Sequence, residues 1–180
     1  MRQLPRLAAA FTLACLSFVT VVVAQQHPAM PAGATHEEHL AQMKKEAELK
    51  RHGQMAMGFD QDKATHHFTL TATGGEISVS ANDTADQATR DQIRSHLREI
   101  AQAFGHGDFQ KPFMTHGEVP PGVSTMQRLK ATVTYRFEPT ERGGVVSIDT
   151  SNADARNAIH AFLRYQITEH STGDPVSAQK

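Results

Sequence analysis

Gly74-Gly75-Glu76-Ile77-Ser78-Val79-Ser80 returns in the second half of the chain as Gly143-Gly144-Val145-Val146-Ser147-Ile148-Asp149. Each copy is followed by a helical skeleton, Arg90-x-x-Ile93-x-x-x-Leu97-Arg98 in the first and Arg156-x-x-Ile159-x-x-x-Leu163-Arg164 in the second. Before each glycine pair the apolar residues alternate: His66, Phe68 and Leu70 against His67, Thr69 and Thr71, then Val133, Tyr135 and Phe137 against Thr132, Thr134 and Arg136. Period two on both sides of a glycine turn predicts a half-buried hairpin. The stretches that follow carry 3.6-residue stripes, Ile93, Leu97, Ile100 and Phe104 in one and Ile159, Phe162, Leu163 and Ile167 in the other. Gly105 is the expected stop of the first helix, and Asn152 or Asp154 the start of the second.

Two β-β-α units with one apolar face each are buried most simply together. The expected fold is α+β: a four-stranded antiparallel sheet with two helices on one face, preceded by an exposed N-terminal helix. The other sheet face would carry Thr, Ser, His67, Arg136 and Asp149. Between the units, Gly105 to about Met126 reads as a long connector able to pack on Phe109, Phe113 and Met114, with Val119-Pro120-Pro121-Gly122-Val123 stiffening it.

The first 24 residues read as an export signal. Arg2 and Arg6 precede an apolar run from Leu7 to Val23, and Val22-Val23-Ala24 forms a small-residue cleavage site. Cys15, the one cysteine of the 180 residues, lies inside that run. The expected mature protein is therefore free of thiols, periplasmic or secreted, soluble, and without disulfides or thiolate chemistry. Residues 25–56 read as a His- and Met-containing linker and helix, 57–172 as the globular domain and 173–180 as a polar tail. Thr35 and Glu38 form a capping-box pattern for the leader helix, with Gly53 its expected stop. A formal charge of −1, with signs interspersed, gives no basic field for nucleic acid.

Eleven histidines stand out in a chain of this composition. Neutral imidazole is the commonest protein ligand for transition metals, and thioether with imidazole suits copper. The expectation is a metal site of copper ahead of zinc, at His66, His67 and His116, with Glu118 nearby. A second, looser site is expected at His36, His39 and Met43, which fall at i, i+3 and i+7 on the leader helix. His27, Met30, His52, Met55 and Met57 belong to the same leader set. His96 and His160 border their helical stripes, where hydrogen bonding to backbone is the ordinary role, and His170 reads as part of the polar tail. Ser/Thr on the open sheet face and the Pro-Pro-Gly loop equally suit a protein-interaction module without metal. No nucleophile elbow, phosphate loop, dinucleotide fingerprint or zinc-protease helix is present, so the sequence gives no support for an enzyme.

Met57-Gly58-Phe59-Asp60-Gln61, His66-His67-Phe68, Val119-Pro120-Pro121-Gly122-Val123 and the string from His160 to Asp174 resemble a group of small exported bacterial proteins of uncharacterised function. The resemblance spans about Met57 to Asp174 and implies no activity. Chains of this kind are sometimes labelled aspartate carbamoyltransferase. The sequence contradicts that label: it lacks the Ser-Thr-Arg-Thr-Arg carbamoyl-phosphate motif, is too short for the two domains of that enzyme and carries an expected export signal.

Overall fold

A computed structural model describes residues 35–179, apart from the side chains of residues 46 and 49. The expected export signal and linker, with His27 and Met30, lie outside the described residues. Helix α1 (His36–Met57) leads into a 3-10 turn and the first hairpin, β1 (Ala64–Leu70) and β2 (Gly74–Ala81). Helices α2 (Gln87–His106), α3 (Gln110–His116) and α4 (Val123–Arg128) follow, then the second hairpin, β3 (Val133–Pro139) and β4 (Gly143–Thr150), and helix α5 (Ala153–Glu169). The strands form one antiparallel sheet in the order β1-β2-β4-β3.

One sheet face is apolar because every second residue belongs to it. Phe68, Leu70, Ile77, Val79, Val146 and Ile148 are buried there against Ile93, Leu97 and Phe104 of α2 and Ile159, Phe162 and Leu163 of α5. Each such side chain contributes about 1.5–3 kcal/mol on leaving water. The glycine pairs allow the helices this close. A Cβ on Gly75 would collide with the end of Leu163 of α5, and one on Gly144 would press on Leu97 of α2 at 3.3 Å and on the Phe137 ring at 2.6 Å. Each hairpin thus opens a slot for a leucine of the helix that follows the other hairpin.

The helix ends have local causes. Asp86 caps α2 by accepting from the Thr89 N–H at 3.0 Å, and Asn152 caps α5 by accepting from Ala155 N–H at 2.9 Å. Gly105 does not stop α2. The helix runs on to His106, and Gly107 at φ 80° takes the left-handed turn. Gly53 likewise lies inside α1, where its missing side chain makes room for Gln61; the left-handed residue is Gly58. The expected long connector instead holds α3 and α4, joined through the Pro120-Pro121-Gly122 turn. α1 packs alongside α3 and is tied to the rest by Lys45–Glu169 at 3.1 Å and Lys50–Asp62 at 2.7 Å.

The C-terminal segment is held along the edge of β1. Asp174 accepts from Phe68 N–H at 2.8 Å, from His67 Nδ1 at 2.9 Å and from the Thr172 hydroxyl at 2.7 Å, and Gln179 N–H donates to Leu70 O at 2.7 Å. Burial pushes the Asp174 carboxyl up, but these donors together hold it below the usual range. Among the described residues no helix is long and apolar enough to cross a membrane.

Candidate functional site: a histidine-lined cavity

A strand, two helices and a helix cap bring histidines to one cavity. Period two puts His66 on the core face of β1 with Phe68 and Leu70. His96 follows Ile93 by three residues on the buried stripe of α2, His116 is the last residue of α3, and His170 caps α5. Together with Met57, the last residue of α1, and Gln166 of α5, they line a space of about 60 Å³ whose remaining wall is mostly apolar, including Phe68, Ile77, Phe104 and Phe162.

The rings form a connected series. His66 and His170 lie nearly parallel with centroids 5.7 Å apart, and His116 meets His170 edge-on at 5.2 Å. Phe59 joins His66 at 5.9 Å and His96 at 5.7 Å. At the other end Tyr165 packs edge-on against His116 at 5.0 Å and donates its hydroxyl to Glu118 at 2.7 Å, outside the cavity.

Burial makes these imidazoles weak bases. It lowers His66 to about 4, with the neighbouring His67 adding to the effect, and lowers His96 to about 4, assisted by Lys111. His170 falls to about 3 through burial and then through His66 and His116. His116 is also lowered by burial, although Gln166 and the carboxylates of Glu169 and Glu118 oppose the shift. At neutral pH the cavity is therefore lined by uncharged rings, the protonation state in which imidazole ligates metals.

Their hydrogen bonding is incomplete. Among the described residues five buried side-chain polar atoms lack a partner, and four of them, His66 Nε2, His96 Nδ1, His116 Nδ1 and Gln166 Nε2, belong to residues of this wall. Such groups cost about 1–3 kcal/mol each when left unpaired. His116 is the best defined of them. Its Nε2 sits 3.1 Å from Gln166 Oε1, an oxygen that can only accept, so Nε2 carries the proton and Nδ1 the free lone pair. Among the described residues no three His, Cys, Asp or Glu side chains already converge as a group able to hold a metal ion. Ligation by three rings requires them to turn about their χ angles.

The residues expected from the sequence separate. His66 and His116 share the cavity. His67 does not, because the strand turns it to the opposite sheet face, where it binds Asp174 at 2.9 Å. Glu118 is engaged by Tyr165. His36 and Met43 are exposed and His39 half-buried along α1. His160 is a structural residue, its Nε2 donating to Thr71 O at 2.9 Å. His170, read from the sequence as part of a polar tail, instead contributes a ring to the cavity. Its spacing from Leu163 and Ile167, seven and three residues, is the signal that marks it as a continuation of the α5 stripe.

On the outer side, His66 and His170 also line an open polar cleft of about 330 Å³ with Lys50, Asp62, Thr65 and Ser171. The two rings therefore stand between this cleft and the inner cavity. Ser171 follows His170 with φ 50°, the one non-glycine residue at positive φ among the described residues. No family model matches the chain, and no curated protein or solved structure matches it.

Proposed function

We propose that this is an exported protein that binds a transition-metal ion, copper ahead of zinc, through His66, His116 and His170, with His96 in reserve on the same wall. The observation that carries the reading is that, among the described residues, buried imidazole nitrogens of His66, His96 and His116 lack a partner and all three residues line one cavity, with the His170 ring beside His66 and His116. A protein gains nothing in stability by burying lone pairs without donors; a bound ion supplies the missing partner. The successive imidazole pairs stand at 5.7 and 5.2 Å between centroids, the range of ordinary packed rings, so rotation about their χ angles is what brings the nitrogens onto one ion. The Gln166 bond to His116 is the outer hydrogen bond that orients a ligating histidine and fixes its tautomer.

The test is calorimetric and thermal titration of the purified protein with Cu(I), Cu(II) and Zn(II), beside two double variants. His66→Phe/His170→Phe should abolish binding, and His36→Ala/His39→Ala should bind as the wild type does. An ion at 100 times its Kd adds about 2.7 kcal/mol to the folded state, a rise of roughly 5–10 °C in Tm for a domain of this size. Unchanged binding by the His66→Phe/His170→Phe protein sinks the reading.

A further inference from the structure

Accepting the histidine cavity as a metal site leaves open which ion it takes, and the chemistry of the wall discriminates among the candidates. Among the described residues no carboxylate lines the cavity, and the one formally charged residue there is Lys111. The Lys111 ammonium is held by Glu99 at 3.1 Å and by Ala56 O at 3.3 Å, so it remains a fixed positive charge at the rim. The carboxylates nearby, Glu99 on Lys111 and Glu118 and Glu169 towards His116, stand outside this lining, so a dication entering the apolar space would meet less compensating charge than at a carboxylate-lined site. The self-energy of an ion in a low-dielectric medium rises with the square of its charge, so a dication costs about four times what a monovalent ion of similar size does.

The space is small, about 60 Å³, and its wall mostly apolar, so the donors it offers an ion are chiefly imidazoles. Met57 adds a soft donor. It ends α1, packs against the core cluster and lines the cavity, and a thioether beside imidazoles selects Cu(I) over harder ions.

We infer that the cavity selects monovalent copper and that the Met57 thioether is the residue that sets this preference. The inference rests on the histidine-site reading above, and the experiment separates the two. Cu(I) kept reduced under anaerobic conditions is titrated against a chromogenic chelator, and Zn(II) and Cu(II) against chelators of their own, for wild type and for Met57→Leu, which preserves bulk and removes sulfur. Circular dichroism and the apo Tm verify that the variant is folded. The expected result is tightest binding of Cu(I) by the wild type, with Met57→Leu weakening Cu(I) about tenfold while leaving Zn(II) affinity where it was. Zn(II) or Cu(II) binding as tight as Cu(I), or a Cu(I) affinity indifferent to Met57→Leu, overturns the inference and leaves the histidine site standing. Failure of every ion to bind removes both.

Discussion

The Nε2 of His116 donates to Gln166 Oε1 across 3.1 Å, and that bond decides which nitrogen of His116 keeps its lone pair. Gln166 is itself buried, 5 % exposed, and His116 is half-buried, so the bond is partly shielded from water. In Gln166→Leu the acceptor is gone and the Nε2–H tautomer loses its support. Nitrogen-15 NMR of the metal-free protein should show His116 as the Nε2–H tautomer in wild type and as a mixture in the variant. Metal affinity should fall about 10- to 100-fold, the usual cost of losing an outer-shell orienting bond. A wild-type spectrum with the proton on Nδ1 would refute the assignment.

Replacing His66 by phenylalanine separates a structural role from a binding role. The Nε2 atom of His66 has no partner among the described residues, and its ring already lies 5.9 Å from Phe59 and 6.5 Å from Phe68. A ring of similar shape without polar atoms removes an unsatisfied group. The metal-free protein should therefore be as stable as wild type or up to about 1–3 kcal/mol more stable, while the metal-induced rise in Tm shrinks or vanishes. Marked destabilisation on urea melting would mean that His66 is held for packing alone.

Acid should destabilise the metal-free protein over a defined window. His66 and His96 are lowered to about 4 and His170 to about 3, so between the ordinary value of 6.5 and those values the unfolded chain binds protons that the folded chain refuses. Stability rises with pH wherever the unfolded state binds more protons, hence it is complete above pH 6.5 and lost as pH falls toward 4. The slope is roughly 1.4 kcal/mol per pH unit for each histidine that stays buried. Urea melts at a series of pH values should show this slope in wild type and a shallower one in His170→Phe. Equal slopes would mean that His170 does not contribute.

The fold was more legible in the sequence than the site, for a physical reason. Alternation and helical stripes report which face is buried, and they place Phe68, Val79, Leu97 and Leu163 correctly without knowledge of any contact. They also explain His160. It aligns with Arg94 of the first unit, and both do the same work: His160 donates to Thr71 O and Arg94 to Gly143 O at 3.1 Å, each bracing a hairpin. A cavity is assembled from elements far apart in sequence, however. His67 adjoins His66 in the chain and is separated from it by the sheet, whereas His170 is remote in the chain and lies against His66. Pairing neighbouring histidines by sequence therefore joins two rings that the sheet holds apart. Gln166 gave no signal at all, since an amide on a helix is ordinary until its acceptor is seen beside a ring.

Asp174 and His67 form the clasp that holds the C-terminal segment on β1, and removing it should loosen that edge without touching the cavity. Asp174→Ala deletes acceptors for Phe68 N–H, the Thr172 hydroxyl and His67 Nδ1. The expected cost is about 1–3 kcal/mol, because a partly buried N–H on the strand edge loses its acceptor. Hydrogen exchange should quicken at Phe68 and at Gln179, whose N–H is bonded to Leu70 O. Protection that stays as in wild type would show that the segment is held by its backbone contacts alone.

Gly75 and Leu163 supply the sharpest test of the fold. The Leu163 side chain, fully buried, occupies the space where a Cβ on Gly75 would sit, and the Thr69 carbonyl crowds the same point. Gly75→Ala must therefore push α5 away from the sheet or bend the first hairpin, at a cost of about 1–3 kcal/mol typical of overpacking. Gly144→Ala meets Phe137 and Leu97 instead, and Phe137 lies on the less buried strand β3, so part of its strain is relieved by a ring movement and its cost should be smaller. Trimming the opposing leucine discriminates strain from an intrinsic alanine effect. In Gly75→Ala/Leu163→Val the two changes should be less destabilising together than the sum of the single variants, a coupling measurable by urea unfolding. Strict additivity would mean that Gly75 and Leu163 do not share the slot.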